Sequence, residues 1–269
     1  MSKALVSDQH QIVVDRFVAA CRADERVVAA FLGGSNARDE ADEHSDLDLC
    51  VITTDAAFET FITEREKFLR LLGEPVFVEV FGQPNVVFFV LADGTEGELY
   101  FGSQGHRDSI HSGPFKVLLD KKGILSGMTF TEETVDPAEQ TETLRRLITG
   151  FWHELSHFIT AMGRGQLWWA YGQLEALRSH CVSLERLRHD FSAWAGGDEP
   201  YFKIEKELPI ESLAPLVATC CAREPQAMLS AAADIVHCYQ ELATALAQAH
   251  GLTYPSGLER VMLERLKPS

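Results

Sequence analysis

Apolar residues change their spacing twice along this chain. Between residues 7 and 23, Ile12, Val13, Phe17, Val18 and Cys21 recur at helical spacing, with Ser7 or Asp8 able to cap the start. Val27–Leu32 is an unbroken apolar run closed by Gly33-Gly34-Ser35, which predicts a buried strand. A polar connection follows, with room for one short helix over 35–43, and residues 47–52 predict a second strand. The segment opening at Thr53-Thr54-Asp55 predicts a helix to about residue 72, stopped by Gly73 and Pro75. Residues 76–81, 85–91 and 98–101, rich in Val and Phe and separated by turn residues at Gly82-Gln83-Pro84-Asn85 and Asp93-Gly94, predict three further strands. Residues 115–120 predict one more.

Beyond Gly127 the pattern changes. The stretch 128–143 is polar and acidic and offers a helix start at Asp136-Pro137, with proline at the first helical position. Apolar spacing is helical over 138–162, 166–191, 210–222, 225–249 and 256–266, with breaks at Gly163-Arg164-Gly165, Gly196-Gly197 and Gly251. The expected fold class is therefore α+β: a mixed sheet with flanking helices over residues 1–128, followed by an antiparallel helical bundle over 136–269.

The chemistry concentrates in 27–53. On a strand, alternate residues share a side, so Asp46 and Asp48 would project together while Leu47 and Leu49 pack behind them. Paired carboxylates favour a divalent cation, and Mg²⁺ is the expected ion, because it takes hard oxygen ligands from one or two carboxylates plus substrate phosphates. The Gly34-Ser35 turn lets backbone N–H groups approach a polyphosphate and adds a hydroxyl contact. A phosphate cradle beside a metal site is what transfer of a nucleotidyl group needs. The plainer alternative is a strand corner with two solvated aspartates. Arg38 could reach a phosphate or pair with an acidic neighbour.

Charge narrows the partners. Lys plus Arg number 24 against 40 acids, a net charge of −16, which disfavours a nucleic-acid polymer and suits a small, cationic acceptor. No run of eighteen or more apolar residues occurs, and the N-terminal stretch lacks a signal peptide's apolar centre, so no membrane partner and a cytoplasmic location are expected. The six cysteines show no C-x-x-C spacing, which argues against a zinc knuckle or a disulfide framework and predicts that most are buried small apolar residues.

G-G-S-N-A-R followed by S-D-L-D-L-C-V-I resembles the signature of the polymerase-beta-type nucleotidyltransferase superfamily. More narrowly, D-E-R-V-V-A-A-F-L-G-G-S and E-G-E-L-Y-F look like the antibiotic nucleotidyltransferases that modify lincosamides and aminoglycosides. The resemblance covers most of the chain and is specific in the first half. It implies a nucleoside triphosphate, ATP or GTP, and Mg²⁺ bound through Gly34, Ser35, Asp46 and Asp48. It implies an acceptor pocket offered by the helical domain across a cleft, and leaves a homodimer open. It places a third acid, Glu98, on a strand at the far side of the sheet, as metal ligand or as general base; Glu96, two positions away, shares its facing. L-L-D-K-K-G resembles a closing strand and turn, from which Lys121 or Lys122 would reach a phosphate or simply sit in the turn. G-R-G-Q-L-W-W-A resembles the turn between bundle helices. Trp168, Trp169 and Tyr171 would stack on acceptor or base there, with at least one tryptophan packed in the core, and Tyr201-Phe202-Lys203 is a weaker candidate. Two features depart from the family: Gly33 stands where a bulky residue is common, and the loop 36–45 is unusually acidic.

A second motif points elsewhere. His153-Glu154-Leu155-Ser156-His157 is a formal H-E-x-x-H, and on a helix its histidines could bind zinc, with Glu154 as base and Glu175 as third ligand. No metzincin-type extension follows it. A zinc hydrolase and a non-catalytic nucleotidyltransferase-fold binding module are thus the alternatives to nucleotidyl transfer, and modification of a protein acceptor is a variant of it.

Overall fold

The computed structural model describes residues 8–131, 135–192 and 199–267. Ser7 as a helix cap, the Gly196-Gly197 break and part of the polar stretch before Asp136 lie outside the described residues. The chain divides into two compact units, Met1–Glu133 and Thr134–Ser269.

In the first unit, helix α1 (Asp8–Ala23) precedes strand β1 (Val27–Leu32), the five-residue helix α2 (Gly34–Arg38) and strand β2 (Leu47–Thr53). Short helices α3 (Phe58–Thr63) and α4 (Arg65–Leu69) lead to strands β3 (Pro75–Glu79), β4 (Val86–Leu91), β5 (Glu96–Ser103) and β6 (Lys116–Asp120). The sheet order is β3-β4-β5-β2-β1-β6, with β2 and β5 parallel and every other neighbouring pair antiparallel. Central strands are covered on both faces, so β1 is buried throughout and reads as an apolar run without alternation. One face packs on Val13, Phe17 and Cys21 of α1 and on Phe61 and Phe68 of α3 and α4; the other carries Phe31, Ile52, Ile110 and Phe130.

Two expectations are corrected here. The helix expected over 53–72 is interrupted, with a 3₁₀ turn at Asp55–Ala57 and a break at Glu64. Asp55 is held by the Gly105 N–H, which donates to its carboxylate at 2.6 Å, and Glu64, at the break, pairs with Arg26 at 2.8 Å. The strand carrying Glu98 runs from Glu96 to Ser103 and lies directly beside β2, not at the far side of the sheet.

The second unit is helical among its described residues, as expected: α5 (Pro137–Gly163), α6 (Leu167–His189), α7 (Ile204–Glu207), α8 (Ile210–Val217), α9 (Pro225–Ala249) and α10 (Ser256–Leu266). Asp136 caps α5, its carboxylate accepting the Ala138 N–H at 2.7 Å, with Pro137 at the first position. The short turn at Arg164-Gly165-Gln166 makes α5 and α6 antiparallel neighbours. Their core centres on Phe151, stacked on Tyr239 of α9 at 3.7 Å between ring centroids, with the Trp152 ring edge-on to Tyr239 at 5.3 Å. The buried Tyr239 hydroxyl donates to the Ile148 carbonyl at 2.6 Å, which fixes α9 against α5. Helix α8 ends at Val217, short of the expected 222, because buried Thr219 turns to accept from Arg178 at 3.0 Å.

Of the cysteines, Cys21, Cys50 and Cys181 are buried, while Cys220 is exposed and Cys221 and Cys238 are half-buried, so only half meet the expectation. Burial pushes the Cys21, Cys50 and Cys181 thiols up, out of the reactive range. Phe151→Ala is expected to destabilise the helical unit by about 3–5 kcal/mol through lost burial and a residual cavity. Tryptophan fluorescence during chemical unfolding checks this, because all four tryptophans of the sequence come after residue 134 and Trp152 packs in this core.

Candidate active site

The site is built where β1 stops. Gly33 is extended, its N–H donates to the Asp48 carbonyl at 2.9 Å, and its own carbonyl accepts the Ala37 N–H at 3.0 Å as α2 begins. Gly34 has φ +55, and a Cβ on it would lie 1.6 Å from Asp48 Oδ2. Glycine is therefore demanded twice, by the left-handed backbone and by the carboxylate pressed against it. Gly33 is confined too: a Cβ there would lie 2.8 Å from His111 Cε1. The His111 ring is wedged 5.3 Å from both Phe31 and Phe130. The space beside Gly33 is filled by this histidine from a later loop, which leaves no room there for a side chain.

Helix α2 is pinned from two sides. Asn36, 2% exposed, donates through Nδ2 to the Asp46 carbonyl at 3.1 Å. Lys116 of β6 donates to the Asn36 carbonyl and to Asp39 Oδ1, the latter at 2.7 Å. Ser35 Oγ is buried and has no hydrogen-bond partner among the described residues.

Asp48, half-buried, is the register partner of Glu98 across the parallel β2–β5 ladder, so the two side chains leave the same face of the sheet on strands about 4.8 Å apart. Glu96 lies beyond the first β2–β5 pair, Leu47 with Gly97, and pairs only with Val90 of β4. Asp46 is exposed immediately before β2. Gly34, Ser35, Asp48 and Glu98 are thus gathered at one end of β2, with Asp46 at its mouth. Arg38 stands at the far end of α2 in an exposed pair with Glu40, Nε to Oε2 3.4 Å.

Other candidates fall elsewhere. Lys121 donates to the Asp24 carbonyl at 2.8 Å, and β6 runs antiparallel to β1, so Lys121 and Lys122 sit at the opposite end of β1 from the loop. The cation beside α2 is Lys116, which the sequence reading passed over. Neither Trp168 nor Trp169 is a core residue: Trp168 is 75% exposed beneath Arg223, whose guanidinium lies 4.0 Å from its ring, and Trp169 is partly exposed against His157. The core place belongs to Trp152. Tyr171, Tyr201 and Phe202 are exposed, and Lys203 lies over the Phe202 ring. Glu175 is not a zinc ligand; it pairs with Arg178, and burial together with its carboxylate pushes the Tyr201 phenol up. No helix among the described residues is long and apolar enough to cross a membrane.

Residues 8–267 match the streptomycin adenylyltransferase family. The chain belongs to that family. It is an enzyme of the nucleotidyltransferase class, and the zinc hydrolase and the non-catalytic module are set aside accordingly. The chain is also similar to the crystal structure of an aminoglycoside 6-adenyltransferase from Bacillus subtilis, at 17% identity over 97% of this chain and 98% of that one, with a TM-score of 0.44. A nucleotidyltransferase-like protein from Exiguobacterium sibiricum matches at 12% identity over 86% of this chain and 74% of that one, with a TM-score of 0.37. Comparison with curated proteins returned no match.

Because Asn36 ties α2 to the chain entering β2 through the Asp46 carbonyl, Asn36→Ala leaves that carbonyl without this donor at a cost of about 1–3 kcal/mol. Amide hydrogen exchange should show faster opening over residues 34–38 with protection of β4 unchanged.

Proposed function

We propose that this chain transfers a nucleoside monophosphate from ATP or GTP to a hydroxyl of a small-molecule antibiotic, an aminoglycoside or a lincosamide, with release of pyrophosphate. The observation that carries the reading is the buried Ser35 hydroxyl without a partner among the described residues, next to a glycine whose missing side chain makes room for Asp48. Leaving such a hydroxyl unsatisfied costs about 1–3 kcal/mol, and a phosphate oxygen supplies the missing partner.

The donor set fits Mg²⁺. Asp46, Asp48 and Glu98 offer only hard carboxylate oxygens, and Asp48 and Glu98 already stand side by side. These three carboxylates would hold the ion, which when bound would supply charge neutralisation for the phosphate oxygens. The remaining work belongs to the protein. Gly34 lets the backbone approach the triphosphate, Ser35 donates to it, and Arg38, whose exposed pair with Glu40 is worth little, adds a cation. Asn36 and Lys116 hold α2 so that these groups do not reorganise when charge develops. The acceptor oxygen forms its bond to the α-phosphorus as the bond to the bridging oxygen of the leaving pyrophosphate breaks; Glu98 takes the hydroxyl proton or, where it completes the ligand set, leaves that proton to solvent water. In this reading the first unit binds the nucleotide and the second recognises the acceptor, while the net charge of −16 favours a cationic one.

Pyrophosphate release from ATP and GTP across aminoglycosides and lincosamides tests the proposal. Release with one acceptor class, reduced at least about 100-fold by Asp48→Asn, is expected. Full activity in that variant would refute the assigned site. Glu98→Gln separates the two roles of that residue: a general base leaves Mn²⁺-nucleotide affinity intact while turnover falls, whereas a metal ligand loses both.

A further inference from the structure

Nucleotidyl transfer does not absorb the histidine and glutamate cluster on α5. His153 and His157, four residues apart, lie on one face of that helix, their ring centroids separated by 4.2 Å. Glu154 Oε2 lies 3.9 Å from His157 Nδ1. One ligand atom from each of the three residues falls within 4.8 Å of the others. His153 is exposed and the other two are half-buried, so an ion can enter from solvent without unfolding anything.

A second helix organises this cluster. With its amide nitrogen facing the carboxylate, Gln173 of α6 donates to Glu154 Oε2 at 2.6 Å, while its oxygen accepts from Trp169 Nε1 at 3.3 Å. The Trp169 ring in turn lies 5.6 Å from the His157 ring. A carboxylate held by an amide, and an imidazole backed by an indole, form the kind of outer shell that orients first ligands and keeps them near a binding geometry.

The donor chemistry selects the ion. Two imidazole nitrogens and one carboxylate oxygen suit a borderline divalent transition ion, with bonds of about 2.0–2.2 Å, and do not suit Mg²⁺, which takes oxygen. We propose that His153, Glu154 and His157 form a solvent-accessible site for a divalent transition metal, Zn²⁺ above all, with its remaining position taken by water or an external ligand. The site differs from that of a zinc hydrolase, because Glu154 is itself the third ligand, tied to Gln173 and not free to act as base, and Glu175 is paired with Arg178. Since the orienting groups belong to α6 and the ligands to α5, bound metal stabilises the pairing of these two helices.

The test uses the full-length chain without an affinity tag, stripped with chelator and titrated with Zn²⁺ in excess Mg²⁺. One Zn²⁺ per chain at micromolar affinity is expected, weakened at least about tenfold in His153→Gln and in His157→Gln. Co²⁺ should give visible ligand-field bands that disappear in the same variants, and Zn²⁺ should raise the unfolding temperature of the parent chain but not of the variants. His153 is exposed, so His153→Gln leaves the helix packed, and circular dichroism confirms this. Absence of saturable Zn²⁺ binding by the parent chain would overturn the proposal. So would binding that persists unchanged in both variants, which would place the ion on others of the ten histidines.

Discussion

The contact between the Asp48 carboxylate and the bare Cα of Gly34 is the constraint around which the first unit is arranged. It requires a left-handed glycine after β1 and a strand β2 whose second residue points back across that turn. The Gly33 N–H, bonded to the Asp48 carbonyl, keeps the turn and the strand in step. The apolar remainder of β1 and β2 is buried on both faces and supplies the rigid base. A polar corner built on such a base keeps its dipoles oriented, which is the condition for electrostatic catalysis under the proposed function.

Parallel pairing of β2 with β5 extends that logic. A parallel neighbour requires a long crossover, and the excursion through α3, α4, β3 and β4 returns the chain so that Glu98 pairs with Asp48 and the two acids leave the same face. Gly97, just before Glu98, has no room for a side chain, because a Cβ would lie 2.6 Å from the Leu47 carbonyl oxygen. Close backbone approach at this point holds the two carboxyl-bearing strands together.

Local signals were legible in the sequence and non-local ones were not. The run Val27–Leu32, the Gly-Gly-Ser turn and the alternation of Asp46 and Asp48 with Leu47 and Leu49 lie within one stretch, and spacing alone predicts their elements. The helical bundle was equally plain from its periodicity. The position of β5, the anchoring of α2 by Asn36 and Lys116, and the packing of His111 over Gly33 each join residues distant in sequence or sheet order, and no spacing rule carries that information. At the break Glu64 pairs with Arg26, a residue distant in sequence that no local helical pattern discloses. The tryptophans misled because bulk alone favours burial, whereas Arg223 and His157 give Trp168 and Trp169 partners at the surface.

Under the proposed function, Asp48 and the Gly34-Ser35 turn together make one site for a divalent ion and a nucleotide. Electron paramagnetic resonance of Mn²⁺, titrated with and without ATP in the parent chain and in Asp48→Asn, tests it most directly. The account predicts tight Mn²⁺ binding that requires ATP and is lost in the variant. Equal, ATP-dependent Mn²⁺ binding by both chains would contradict it.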